Sequence, residues 1–174
     1  MISYISNFVE HYGLSTLIVG LCITAISILI DKYFKDKIPA LLRNALPFIL
    51  GVIISTIYGL IIGKTLADFT QFVSSGWVSS TLAIVIKAFI NKLKSGKLSQ
   101  DVLVLTVYEL LEGTLKKGVN RQKIADSICA VIKGDLSFEN AVNEVNSLLD
   151  GRLVNQDYGR ALAQLIVSST KTLI

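Results

Sequence analysis

Three stretches of this chain contain no charged residue and no histidine: Tyr12 to Ile30, Asn44 to Gly63 and Phe69 to Ile86. Each is 18 to 20 residues long, and at the helical rise that is roughly 27–30 Å, the thickness of a bilayer's hydrocarbon core. A helix satisfies its own backbone over that depth, so the sequence predicts three membrane-spanning helices, about 12–30, 44–63 and 69–86. The expected fold class is all-α: an integral membrane protein with a transmembrane domain over residues 1–97 and a C-terminal cytosolic four-helix domain over 98–174.

The basic residues set the expected orientation. The loop after the first run holds Lys32, Lys35, Lys37 and Arg43, and Lys87, Lys92, Lys94 and Lys97 follow the third; the loop after the second holds only Lys64. The positive-inside rule then places the N-terminus outside and everything after Lys87 in the cytosol, at a bacterial inner membrane. A cleaved signal peptide would want a basic start and a shorter apolar stretch. This start is Met-Ile-Ser-Tyr-Ile, with Glu10 as its first charge. The formal charge of +4 is unevenly spread: residues 1–97 carry nine basic and four acidic groups, residues 98–174 eight and nine. The basic excess belongs to the membrane half. Two cysteines, Cys22 and Cys129, are too few for a disulfide framework.

In the tail, Ser99 is placed to cap a helix running to about Leu115, apolar around much of its circumference and hence central to a bundle. Asn120 starts a second helix that stops at Gly134. Ser137 starts a third, with Phe138, Ala141, Val142, Val145 and Leu149 at helical spacing, closed by Asp150–Gly151. Tyr158, Leu162, Leu165 and Ile166 mark a fourth. At 77 residues the tail is small for a self-sufficient core, so its first helix is expected to be covered by other copies or by the membrane-proximal segment. The third run is expected to continue as a stalk through 87–97.

Chemistry-bearing constellations are few. The one histidine is His11. There is no His/Cys cluster at metal-ligand spacing, no glycine-rich phosphate loop and no nucleophile triad. No enzymatic role, catalytic residue, metal or cofactor is expected. In the second run, Gly51, Ser55, Gly59 and Gly63 recur every four residues, a stripe that lets helix backbones approach closely, within one chain or between copies. Thr16, Gly20 and Thr24 repeat the idea in the first run. The third run carries a narrow stripe of Gly76, Ser80, Ala83 and Lys87. It reads as a pore-lining face, with Lys87 forming a cationic ring that favours anions in an oligomer. The alternative is hydroxyls bonded to their own helix and a snorkelling lysine. Lys116, Lys117, Arg121 and Lys123 form a basic cluster at a helix junction, suited to phosphates, with no aromatic residue nearby in sequence to stack a base. A solvated turn is the alternative there.

The stretch Lys37-Ile-Pro-Ala-Leu-Leu-Arg-Asn-Ala-Leu-Pro-Phe-Ile-Leu-Gly51, with the polar third run and lysine-rich stalk after it, is similar to small holin-like pore proteins of Gram-positive bacteria and their phages. The whole layout, three spans and a small helical tail with a basic patch, resembles membrane effectors of bacterial anti-phage defence, and among them the channel subunit of the Hailong system. That resemblance implies a homo-oligomer, a tetramer in that family, gated by an oligonucleotide or nucleotide ligand on an electropositive surface, with a nucleotidyltransferase as partner. The reading is therefore a gated membrane channel, with a holin-like pore or a non-conducting scaffold as alternatives. Both resemblances are architectural and bring no site residue with them.

Overall fold

The computed structural model describes residues 10, 12–34, 37–95 and 101–173. His11, Lys35, Lys97 and Ser99 fall outside the described residues, as do the side chains of Lys92 and Lys94. Seven α-helices are described: α1 (Leu14–Phe34), α2 (Ala40–Ile61), α3 (Phe69–Ser95), α4 (Val102–Leu110), α5 (Arg121–Ile132), α6 (Phe138–Leu149) and α7 (Gly159–Lys171). Short 3-10 turns at Leu66–Asp68 and Gln156–Tyr158 join them. No strand occurs among the described residues beyond one bridge between Leu115 and Leu153. The three N-terminal helices are each long and apolar enough to cross a membrane.

α3 occupies the middle of the molecule. Every residue from Ser79 to Ile86 is buried, the condition of a helix covered on all sides. α1 and α2 pack on it and turn Ile18, Leu21, Leu29, Ile49, Ile53 and Ile57 outward, about half exposed. An outward apolar face of that kind suits lipid. α3 runs unbroken from Phe69 to Ser95, and the remainder of the expected stalk, 96–97, lies outside the described residues.

The remaining helices build on the same end. Asn120 caps α5 by accepting from the Lys123 amide at 3.1 Å, and Ser137 caps α6 through Asn140 at 3.3 Å, both where their positions in sequence predict. α6 and α7 bury one face each, Ala141, Val142, Val145 and Leu149 against Leu162, Ala163, Ile166 and Val167. α4 departs from expectation. It was expected from Ser99 to Leu115 but spans only Val102–Leu110, and its described cap is Asp101, which accepts from the Leu103 amide at 3.0 Å. Lys133 donates to the same Asp101 carboxyl at 2.7 Å, which holds that carboxyl below its ordinary range and raises the lysine.

The helix stops early because of partners far away in sequence. Asn44 donates to the Leu110 carbonyl at 2.5 Å, and Arg43 donates to that of Glu112 at 3.3 Å. The first is a carbonyl that a helix end leaves without an intrahelical donor, and the second lies in the turn just after it. Gly113, at φ +73°, then turns the chain away in a conformation that glycine adopts readily. Leu103, Val107, Leu110 and Leu111 of α4 and the turn after it share one core with Ile128, Leu149 and Ile166, and with Phe48 of α2 and Ile84 of α3.

Cys129 sits inside this core at 3% exposure. Burial, with the Asp101 carboxylate second, pushes its thiol up to about 12. At pH 8 the thiolate is then about one part in ten thousand. Iodoacetamide at pH 8 should leave Cys129 unmodified in folded protein and alkylate it fully in dodecyl sulfate, as peptide mass spectrometry would show. Alkylation at similar rates in both states would mean the core around α5 is open.

Candidate functional site

Four helices each contribute one ionic side chain to a single buried cluster. Asp31 comes from the last turns of α1, Arg43 from the first turn of α2, Lys87 from α3 and Glu109 from α4. Lys87 Nζ lies 2.6 Å from Asp31 Oδ2 and 3.1 Å from Glu109 Oε1, and Arg43 Nε lies 3.5 Å from Asp31 Oδ1. Asn91, one turn beyond Lys87, donates to both Glu109 oxygens at 3.1 and 3.3 Å. Side-chain exposure is 12% for Lys87 and 7% for both Glu109 and Arg43. Asp31 is the more open member, at 25%. Ions so deeply withdrawn from water are tolerated only when paired and hydrogen-bonded, and losing one member leaves an uncompensated charge.

Beside the cluster, Ser27 of α1 is 5% exposed and its hydroxyl has no hydrogen-bond partner. It faces a cavity of about 10 Å³ that Arg43, Asn44, Lys87 and Glu109 also line, room for about one water.

The stripe read as pore-lining ends in this cluster but is otherwise enclosed. Gly76 faces the backbone of Gly51 and Val52, where an added Cβ would overlap main-chain atoms. Ser80 donates to the Pro47 carbonyl at 2.7 Å and to Gly76 at 2.6 Å. Ala83 packs with Val19 and Ile23 of α1. Within one chain these residues form the seam where α3 meets α1 and α2. Lys87, at the end of the stripe, is held by two carboxylates. Small residues let the neighbouring backbones approach closely along this seam.

The glycine stripe of α2 meets the same seam. A Cβ at Gly51 would strike Ser80 and Gly76, and one at Gly59 would strike the Phe72 ring. Ser55 is buried between them. Gly63 stands apart at φ +86° with open space around it, ending the helix. Thr16, Gly20 and Thr24 of α1 are buried as well, and Thr24 donates to the carbonyls of Gly20 at 2.8 Å and Ala83 at 3.3 Å.

In the basic cluster, Lys116, Lys117 and Lys123 are exposed. Lys116 Nζ donates to the Gly151 carbonyl at 2.9 Å. The Arg121 guanidinium lies 3.7 Å from the centre of the Tyr108 ring. An aromatic residue is therefore present after all, brought from α4 by helix packing and invisible as a neighbour in sequence. Asp31, Glu109, Asn44 and Asn91 are absent from the residues chosen on sequence. Glu109 carried a signal: it is the one charge in the apolar run Val102–Leu111, and an acid on a helix buried all round needs a cation.

No protein-family model matches this chain, and neither a curated protein nor a solved structure does.

Proposed function

We propose that the chain is a subunit of a homo-oligomeric membrane channel, with α1, α2 and α3 in the bilayer, the α4–α7 helices as a cytosolic four-helix domain, and the ion cluster as the latch between them. The observation that carries this reading is that cluster: Asp31, Arg43 and Lys87 from the three membrane helices close on Glu109 of the first tail helix. Intramembrane charge is costly and characteristic of transport and gating sites. A seam of Ser, Thr and Gly held shut beside such a latch is the closed form of a polar route, and movement of α4 would release Lys87 into it.

The basic cluster is the proposed receptor for an anionic ligand, an oligonucleotide or nucleotide. Arg121, backed by Tyr108, offers a planar cation for base stacking, and the lysines offer phosphate contacts. On the resemblance stated above, a tetramer, a role as a membrane-disrupting effector in anti-phage defence and a nucleotidyltransferase partner complete the proposal.

Purified protein in planar bilayers should pass discrete currents whose open probability changes about tenfold or more on adding single-stranded oligonucleotides at low salt, since phosphate binding weakens steeply as salt rises. Alanine at Lys116, Lys117, Arg121 and Lys123 together should remove the ligand's effect and leave the current. Absence of current with and without ligand, and in Glu109→Gln, would overturn the channel. Persistence of the ligand effect in the quadruple variant would return the cluster to a solvated turn.

A further inference from the structure

A cavity of about 290 Å³ lies between the start of α2, the turn after α4 and the turn before α7. That is close to the lower end of ligand-sized cavities, about 300–1,000 Å³. Pro39, Ala40 and Leu41 line it from the side of α2, and Leu153, Val154 and Leu162 from the side of the tail. The two sides meet where Gly113 comes up to α2: a Cβ there would be 3.2 Å from that of Ala40.

The polar groups at its edge already have partners. The Thr114 hydroxyl donates to the Leu111 carbonyl at 2.9 Å, and the Val154 amide donates to the Thr114 carbonyl at 2.9 Å. Asn155 Oδ1 accepts the Asp157 amide at 3.0 Å. What the cavity offers a guest is mainly apolar surface, which favours an apolar guest in proportion to the area covered.

Two observations select the guest. The first is exposure. Val154 is 66% exposed and Tyr158 40%, and among the described residues of the tail the other large apolar side chains turned outward are Leu136 and Phe138. Two of these four therefore gather on one cavity, the sign of a contact surface. The second is position. The outward apolar stripe of α2, Ile57, Ile53, Ile49 and Leu42, leads down the helix to the residues that line the cavity. At the same end α1 finishes on the exposed aromatics Tyr33 and Phe34, with the Lys32 and Lys37 ammonium groups 5.4 and 6.0 Å from their ring centres. Aromatic and basic side chains gather where a bilayer meets water. The cavity lies at that level and continues the outward surface of α2.

We propose that this cavity holds part of one acyl chain of a membrane phospholipid, between α2 and the tail. The proposal rests on the membrane placement of α1, α2 and α3 and is independent of conduction. An acyl chain has no hydrogen bond to give up on entering, and it covers Val154 and the Tyr158 ring. An amphipathic tyrosine suits a boundary with one dry and one wet side.

The test uses full-length protein in phosphatidylcholine vesicles that include a phosphatidylcholine with a photoreactive diazirine midway along one acyl chain. After irradiation, peptide mass spectrometry locates the label. Ile49 and Ile53 should be labelled as lipid-facing residues, and Tyr158 with them. Phe138 is also 40% exposed but does not line the cavity, and it should stay unlabelled. Ala40→Phe fills the cavity and Val154→Asp puts a charge at its mouth; each should cut the label on Tyr158 about tenfold and leave Ile49 and Ile53 as in wild type. Val154→Ile should label as wild type. Circular dichroism confirms folding in each, and if Ala40→Phe does not fold, Val154→Asp against Val154→Ile decides alone. Label on Ile49 and Ile53 without Tyr158, equal label on Phe138 and Tyr158, or unchanged label in the two variants overturns the proposal and leaves the membrane placement standing. Absence of label from Ile49 and Ile53 overturns the membrane placement and the proposal with it.

Discussion

Gly76→Val should prevent α2 and α3 from reaching their native crossing. The new Cβ would be 2.6 Å from the Gly51 carbonyl carbon and oxygen and from the Val52 nitrogen. Those are main-chain atoms of a helix, which cannot rotate aside as the end of a side chain can. Overpacking of a core costs about 1–3 kcal/mol when side chains can adjust, so a cost at or above the top of that range, about 3 kcal/mol, is expected. Gly63→Ala provides the contrast. It meets open space but sits at φ +86°, so its cost is backbone strain alone, about 1 kcal/mol. Unfolding of the purified protein in detergent, followed through the single Trp77, measures both. If the two variants lose the same stability, the seam is looser than its backbone contacts indicate.

Glu109→Leu is expected to be the most damaging single change in charge. It removes one of the two carboxylates that hold Lys87, in a site where the lysine is nearly buried. Breaking a buried pair on one side costs about 3–5 kcal/mol, most of it the stranded partner. Lys87→Met with Glu109→Leu removes the stranded cation as well and should recover most of that loss. The double variant should therefore be more stable than Glu109→Leu, a coupling that a double-mutant cycle reads directly. A double variant as unstable as the sum of the singles would mean that Lys87 and Glu109 are not partners.

How far the chain can be read unaided follows from where its charges fall. The three apolar helices are legible because a run of 18 uncharged residues is rare in any other setting. Their ends are less so. Counting charge-free residues starts the second helix at Asn44, yet α2 begins at Ala40 and carries Arg43 inside it, because Asp31 and the Glu112 carbonyl give that guanidinium partners. The same holds for α4: its apolar character is plain, but its end is set by Asn44 and Arg43, more than sixty positions earlier. Small-residue stripes point to close approach and leave open what approaches. Gly51 and Gly76 answer each other across the seam, and neither periodicity alone could pair them. The basic cluster shows the same limit, since Tyr108 reaches Arg121 only through the packing of α4 on α5.

The shared core has a consequence for how the chain is made. Phe48 and Ile84 lie in the same apolar cluster as Leu111, Ile128 and Leu162, so the last helices to leave the ribosome need surfaces supplied by the first. α6 and α7 pack on each other, but α4 finds its lining and the acceptors' donors only once α2 and α3 are side by side. Docking of α4 therefore depends on the earlier helices having met, and each late helix acts as an inspection of the early ones. A chain whose first three helices cross wrongly leaves Glu109 and the flank of α4 uncovered, a sticky surface of the kind that chaperones and proteases recognise. Quality control is thereby written into the same contacts that hold the finished molecule together.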